Sequence, residues 1–142
     1  MSVPGAVLAL DVGTRTIGVA VTDPGRTHVF PVTTVARRSV RRDVEVLAEL
    51  ARGRAVVQVV VGVARDADGG EGRSARLARQ VGDALAARTG LPVAYVDEAF
   101  TTLEAHARLG DAGVFGAARR AASDQAAAVV ILEGWLGAEG GG

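Results

Sequence analysis

The hydrophobic positions of the chain follow two rhythms, and the change between them divides the sequence. Val7 to Leu10 is a short apolar run closed by Asp11, the pattern of a strand covered on both faces. Val12 to Thr16 reads as a turn and Ile17 to Thr22 as a second strand. Asp23, Pro24 and Gly25 mark a second turn, and Val29 to Val35 alternates weakly as a third strand. Short turns between these strands predict an antiparallel meander.

The period then lengthens. Between Arg42 and Arg52, Val44, Leu47, Ala48 and Ala51 recur at helical spacing. Val56 to Val61 reads as a buried strand ending in Gly62, and residues 64–72 are polar and glycine-rich, hence a flexible loop. Leu77, Ala78, Val81 and Leu85 line one side of a helix from Arg73 to Thr89, stopped by Gly90 and Pro92. Val93 to Val96 is a fifth strand with Asp97 and Glu98 at its end. Thr101 to Asp111 and Ser123 to Leu136 read as the last helices. The order β-β-β-α-β-α-β-α-α predicts a mixed five-stranded sheet, a meander plus parallel strands, flanked by helices as a three-layer α/β domain of RNase H-like type. A single domain over residues 1–136 and a flexible glycine-rich tail over 137–142 are expected.

Composition narrows the chemistry more than the fold. Aromatic residues are 4%, so the core must be built from the 27 Ala, the 23 Val and the leucines. The chain has no Cys, which excludes disulfides, thiolate metal sites and a cysteine nucleophile. No apolar run approaches the ~18 residues of a membrane span, and the start of the chain does not resemble a signal peptide. A cytoplasmic protein without membrane association is expected. The net charge is +0, so affinity for nucleic acid has to come from a local patch.

Taken one at a time, the acids at element ends have structural explanations. Asp11 could cap its own turn, Asp124 could sit favourably in the first turn of the last helix, and Glu98 could be an exposed loop acid. Thr101 and Glu104 match a helix capping box, which leaves Glu98 as the better functional candidate there. Adjacent in an extended chain, Asp97 and Glu98 point to opposite faces, so only one of them can aim at a shared site. Taken together, three carboxylates on neighbouring sheet edges can hold two divalent ions for phosphodiester hydrolysis. Such hard oxygen ligands suit Mg²⁺ or Mn²⁺. His28 and His106 have no spacing that suggests a ligand pair. For phosphate contact, Arg37, Arg38, Arg41 and Arg42 form the densest basic cluster. Arg73, Arg76 and Arg79 recur along one helix, and Arg119 and Arg120 precede the expected last helix.

The stretch DVGTRTIGVAVTD, from Asp11 to Asp23, closely resembles the opening of the YqgF family of Holliday-junction-resolvase-like proteins, also described as pre-16S rRNA nucleases. The likeness continues at VVVGVARDADGGEGRSA (Val59 to Ala75), TGLPVAYVDEAFTTLEA (Thr89 to Ala105) and SDQAAAVVILEGWL (Ser123 to Leu136). The resemblance implies an RNase H-like fold and a two-metal nuclease acting on structured RNA, at the 5′ end of pre-16S rRNA in ribosome biogenesis. Branched DNA would be a related substrate. It also implies Asp11, Glu98 and Asp124 as catalytic and metal-binding residues. Arg15, Arg37, Arg38, Arg41, Arg42, Arg119 and Arg120 are the expected nucleic-acid contacts of a monomer or homodimer. The chain departs from the family pattern at Thr16, at Ala64 after Gly62 and Val63, and at Ala99. Two other classes fit part of the sequence. Asp11 to Thr14 also resembles the first phosphate loop of the actin, sugar-kinase and Hsp70 fold, and the departures suit a non-catalytic RNA-binding module of ribosome assembly.

Overall fold

The computed structural model describes residues 5–63, 72–97 and 116–140, with side chains of the last segment given for 125–138. The meander is β1 (Ala6–Val12), β2 (Thr16–Thr22) and β3 (Val29–Ala36). It is followed by α1 (Val40–Gly53), β4 (Val56–Val63), α2 (Arg73–Thr89), β5 (Val93–Asp97) and α3 (Gly116–Gly140). One sheet results, in the order β3-β2-β1-β4-β5. Strand β2 runs antiparallel to both neighbours, whereas β1, β4 and β5 are parallel. The expected helix over 101–111 and residues 64–71 of the expected loop over 64–72 lie outside the described residues.

Central position explains the composition of β1. Leu8, Leu10 and Val12 join Ile17, Val19, Val59 and Val61 in a core shared with α1 and α2. Val7 and Ala9 point the other way, to Ala20, Val60 and the α3 residues Ala128, Ile131 and Leu132. Small side chains on both sides of that second contact (Ala9, Ala20, Ala128) let the helix lie close to the sheet. Helix α3 differs from the expected element at both ends. It starts at Gly116, and it continues through Gly137 to Gly140, where a frayed tail was expected. The packing of its middle against the sheet outweighs the low helix propensity of these glycines.

The turns follow their sequence signals. Asp23 Oδ1 accepts the amides of Thr27 and His28 at 2.8 and 2.7 Å and closes the β2–β3 connection. The His28 amide bond is the main reason its carboxyl lies below the usual range. Helix α2 ends at Gly90, whose φ of 76° is left-handed. At the outer edge, β3 contains Pro31 opposite Ala20, beside a register shift between Val19 and Ala20. Phe30 is 49% exposed next to it.

Strand β5 is latched to α2 by Tyr95. Its hydroxyl donates to the Asp83 carboxylate and its ring lies under the Arg79 guanidinium, 4.8 Å from the ring centre. Gly82 makes room for it, since a Cβ there would fall 2.5 Å from the hydroxyl and 2.9 Å from two ring carbons. Burial, reinforced by Asp83, raises the phenol above the ordinary tyrosine range. Two outcomes are expected. Gly82→Ala would gain ~1 kcal/mol of helix propensity but lose ~1–3 kcal/mol to overpacking, so urea unfolding should show a net loss of stability. Tyr95 is the one tyrosine of the chain, so ultraviolet titration of the folded protein should show no tyrosinate at pH ~10, where a free tyrosine is half ionised. Because the folded pKa is raised, this contribution to stability is complete below pH ~10 and is lost as pH rises through the folded value. Tyr95→Phe should remove that loss.

Candidate metal and nucleic-acid site

Strand alternation decides which acids share a face. Val7 and Ala9 face α3, and Asp11 continues that series at the carboxyl end of β1. Asp11 pairs with Gly18 on β2. Leu10 pairs with Val61 on β4, which puts Gly62 level with Asp11 on the other side. The carboxylate therefore stands between two residues without side chains, at the sheet edge where α/β proteins bind ligands. On β5, Val96 packs with the α3 cluster, whereas Val93 and Tyr95 belong to the opposite core. Asp97 alternates with Val96 and so falls on the side away from Asp11. Glu98, the other acid of this pair, lies outside the described residues, as do Ala64 and Ala99.

Helix α3 changes the standing of Asp124. With the helix beginning at Gly116, Asp124 is an interior residue and not part of the first turn. Stabilisation by the helix dipole, which falls off within that turn, no longer accounts for it. The next residue, Gln125, donates from Nε2 to Thr34 Oγ1 at 3.0 Å. Thr34 pairs with Gly18, and Gly18 with Asp11. This bond fixes the Asp124–Gln125 part of α3 to the same row across the sheet that holds Asp11. Sequence reasoning missed Gln125, and a contact between residues 34 and 125 leaves no local signal. The Asp124 side chain lies outside the described set. Arg119 and Arg120 are within α3 rather than before it, and their side chains are likewise outside the described set.

The basic cluster divides into two kinds of arginine. Arg15, Arg38, Arg41 and Arg42 are exposed. Arg37, expected among the phosphate contacts, differs from them in being engaged within the protein. Its side chain is 12% exposed, and Nε donates to Asp43 Oδ2 at 2.7 Å. A second guanidinium nitrogen donates to the Gly13 carbonyl at 2.9 Å, and the Arg37 amide donates to the Arg15 carbonyl at 2.8 Å. Asp43 is 2% exposed and accepts the Arg38 amide at 3.0 Å through its other oxygen. Ser39 caps α1 by accepting the Arg42 amide at 3.2 Å. That cap starts the helix at Val40, two residues before the apolar spacing suggests. In the other basic series, Arg79 lies against Tyr95, while Arg73 and Arg76 are exposed.

Among the described residues, no three His, Cys, Asp or Glu side chains form a group able to hold a metal. A described set without Glu98 and the Asp124 side chain contains only Asp11 of the three expected acids.

A sheet of this order with one antiparallel inner strand, helices on both faces and an acid at the end of its first strand defines an RNase H-like α/β protein. A family model described as RuvX, Holliday junction resolvase, matches residues 5–138, and the chain belongs to that family. A protein of Frankia casuarinae named "Putative pre-16S rRNA nuclease" is 46% identical over 128 residues, covering 89% of this chain but 63% of its own length. One of the same name from Anaeromyxobacter sp. strain K is 43% identical over 129 residues, 91% of this chain and 94% of its own. The solved structure of T. thermophilus RuvC in complex with Holliday junction substrate is similar in fold. Its TM-score is 0.60 at 21% identity, over 96% of each chain.

Breaking a buried ion pair by deleting one partner typically costs ~3–5 kcal/mol, because the other charge stays buried and unpaired. Asp43→Ala should therefore lower the unfolding free energy by about 3 kcal/mol in urea titration. Arg41→Ala, at an exposed position, should change it by less than ~0.5 kcal/mol.

Proposed function

We propose that the chain is a metal-dependent nuclease that hydrolyses phosphodiester bonds in structured RNA, acting at the 5′ end of pre-16S rRNA in the cytoplasm. The observation that carries this reading is the setting of Asp11, a carboxylate between two glycines on the face that receives α3. The names of the curated relatives point to the same substrate. Among the described residues, no helix is long and apolar enough to cross a membrane.

The donor chemistry fits a hard divalent cation. Asp11, Glu98 and Asp124 would supply oxygen ligands only, and a chain without Cys offers no thiolate competitor. Mg²⁺ or Mn²⁺ bound by them would activate water and stabilise the leaving oxygen. The glycines at 18 and 62 keep bulky side chains away from the sheet beside Asp11, where a phosphate has to approach. Three carboxylates repel a polyanion, so attraction has to come from a separate surface. Arg15, Arg38, Arg41 and Arg42 supply it beside the β1–β2 turn, with Arg119 and Arg120 on α3. Arg37 holds this surface together without being part of it.

The family description favours a second substrate, four-way-junction DNA. Matched rRNA-precursor and junction substrates incubated with Mg²⁺ or Mn²⁺ decide between them, and retention of both without cleavage would indicate a non-catalytic assembly module. Asp11→Asn preserves shape and a hydrogen-bond acceptor but removes the charge a divalent ion needs. It should reduce cleavage at least about a hundredfold, the upper end of what loss of an outer-shell partner costs, with an unchanged circular-dichroism melt. Full activity would return Asp11 to the role of a turn residue.

A further inference from the structure

Arg37 has three partners that belong to two different segments. Through Asp43 it is bound to the first turn of α1, and through the carbonyls of Gly13 and Arg15 it is bound to the β1–β2 turn. Within that turn the Gly13 amide donates to the Thr16 carbonyl at 2.8 Å. It begins two residues after Asp11 and carries Arg15. The α1 start carries Arg38, Arg41 and Arg42, and the second oxygen of Asp43 holds the Arg38 amide. One nearly buried guanidinium thus joins the two segments that bear the exposed Arg15, Arg38, Arg41 and Arg42.

We infer that the Arg37–Asp43 pair is a positioning device. It fixes the β1–β2 turn against the start of α1, so that Arg15 and the α1 arginines present one preorganised surface to the phosphates of a structured RNA, which neither Arg37 nor Asp43 touches. This rests on the nucleic-acid reading of the site. Preorganisation matters because a mobile turn has to be ordered when RNA binds, and that ordering lowers affinity even when every phosphate contact is still made. Arginine is required at 37 because its planar fork donates in two directions at once, to the carboxylate and to the Gly13 carbonyl. A lysine ammonium can keep the ion pair but lacks the fork.

The test uses the full chain, a fluorescein-labelled RNA hairpin with a single-stranded 5′ extension, and the variants Arg15→Gln, Arg37→Lys, Asp43→Asn and Arg15→Gln/Arg37→Lys. Arg37→Lys retains the charge opposite Asp43 and is the variant that folds if Asp43→Asn does not. Arg15→Gln and Arg37→Lys should each weaken hairpin binding by roughly tenfold, and the double variant should be no weaker than Arg15→Gln. Asp43→Asn should weaken binding as well. If Arg37 were itself a phosphate ligand, freeing it from Asp43 would tighten binding instead. Hydrogen exchange without RNA should show the Gly13 and Arg37 amides exchanging at least about tenfold faster in Arg37→Lys than in the wild type. Additive losses, tighter binding by Asp43→Asn, or unchanged exchange would each overturn the inference. A wild-type chain that does not retain the hairpin, with the exchange result as expected, would instead overturn the nucleic-acid reading on which it rests.

Discussion

A strand enclosed by helices on both faces has no solvent side, and in this molecule that strand is β1. From Ala6 to Leu10 every residue is at most 2% exposed. Burying a charge anywhere along that stretch would cost several kcal/mol unless it were paired. Polarity is tolerated only where the strand leaves the sandwich, and that is where Asp11 stands. The closeness of α3 follows from the same enclosure, since a helix can cover Val7, Ala9 and Ala20 at short range only if its own contact residues are small. Gln125 then aligns the helix with the row of Asp11, so the core and the candidate site share one geometry.

The charges are arranged so that attraction and repulsion occupy different places. Asp11 stands at the end of the central strand, while Arg15, Arg38, Arg41 and Arg42 are exposed at the β1–β2 turn and around the start of α1. A chain of zero net charge can in this way present a basic surface locally, within the range over which salt leaves a field unscreened. Arg37 and Asp43 neutralise each other beneath that surface. Their contribution is geometric, because the charge they would add is cancelled.

Period and punctuation carried most of the fold. The apolar β1, the stripes of α1 and α2, and the Gly90 stop are local patterns, and each of those elements appears within one or two residues of its expected limits. What sequence could not convey was tertiary. The limits of α3 depend on packing along the sheet and not on the propensities of Gly116 or Gly137. Arg37 looks like its neighbours in the sequence, and only the fold brings it against Gly13 and Asp43. The candidate site was legible to the extent that strand ends are legible. Asp11 followed from the end of an apolar run, whereas the docking of α3 through Gln125 and Thr34 required the three-dimensional pairing of distant segments.

The outer strand of the meander has a consequence for behaviour at high concentration. Residues 29–36 contain no charge and are rich in β-formers, a composition that invites an extended chain to add itself to the open side of a sheet. Pro31 offers no amide to such a visitor, and the register shift beside it disturbs the spacing that a new ladder would need. The edge is thereby cut into two short stretches, neither long enough to template a fibril. At this edge a protein rich in valine and alanine thus opposes sheet growth through one imino acid and one irregular pairing, without any of the lysines that commonly guard such edges.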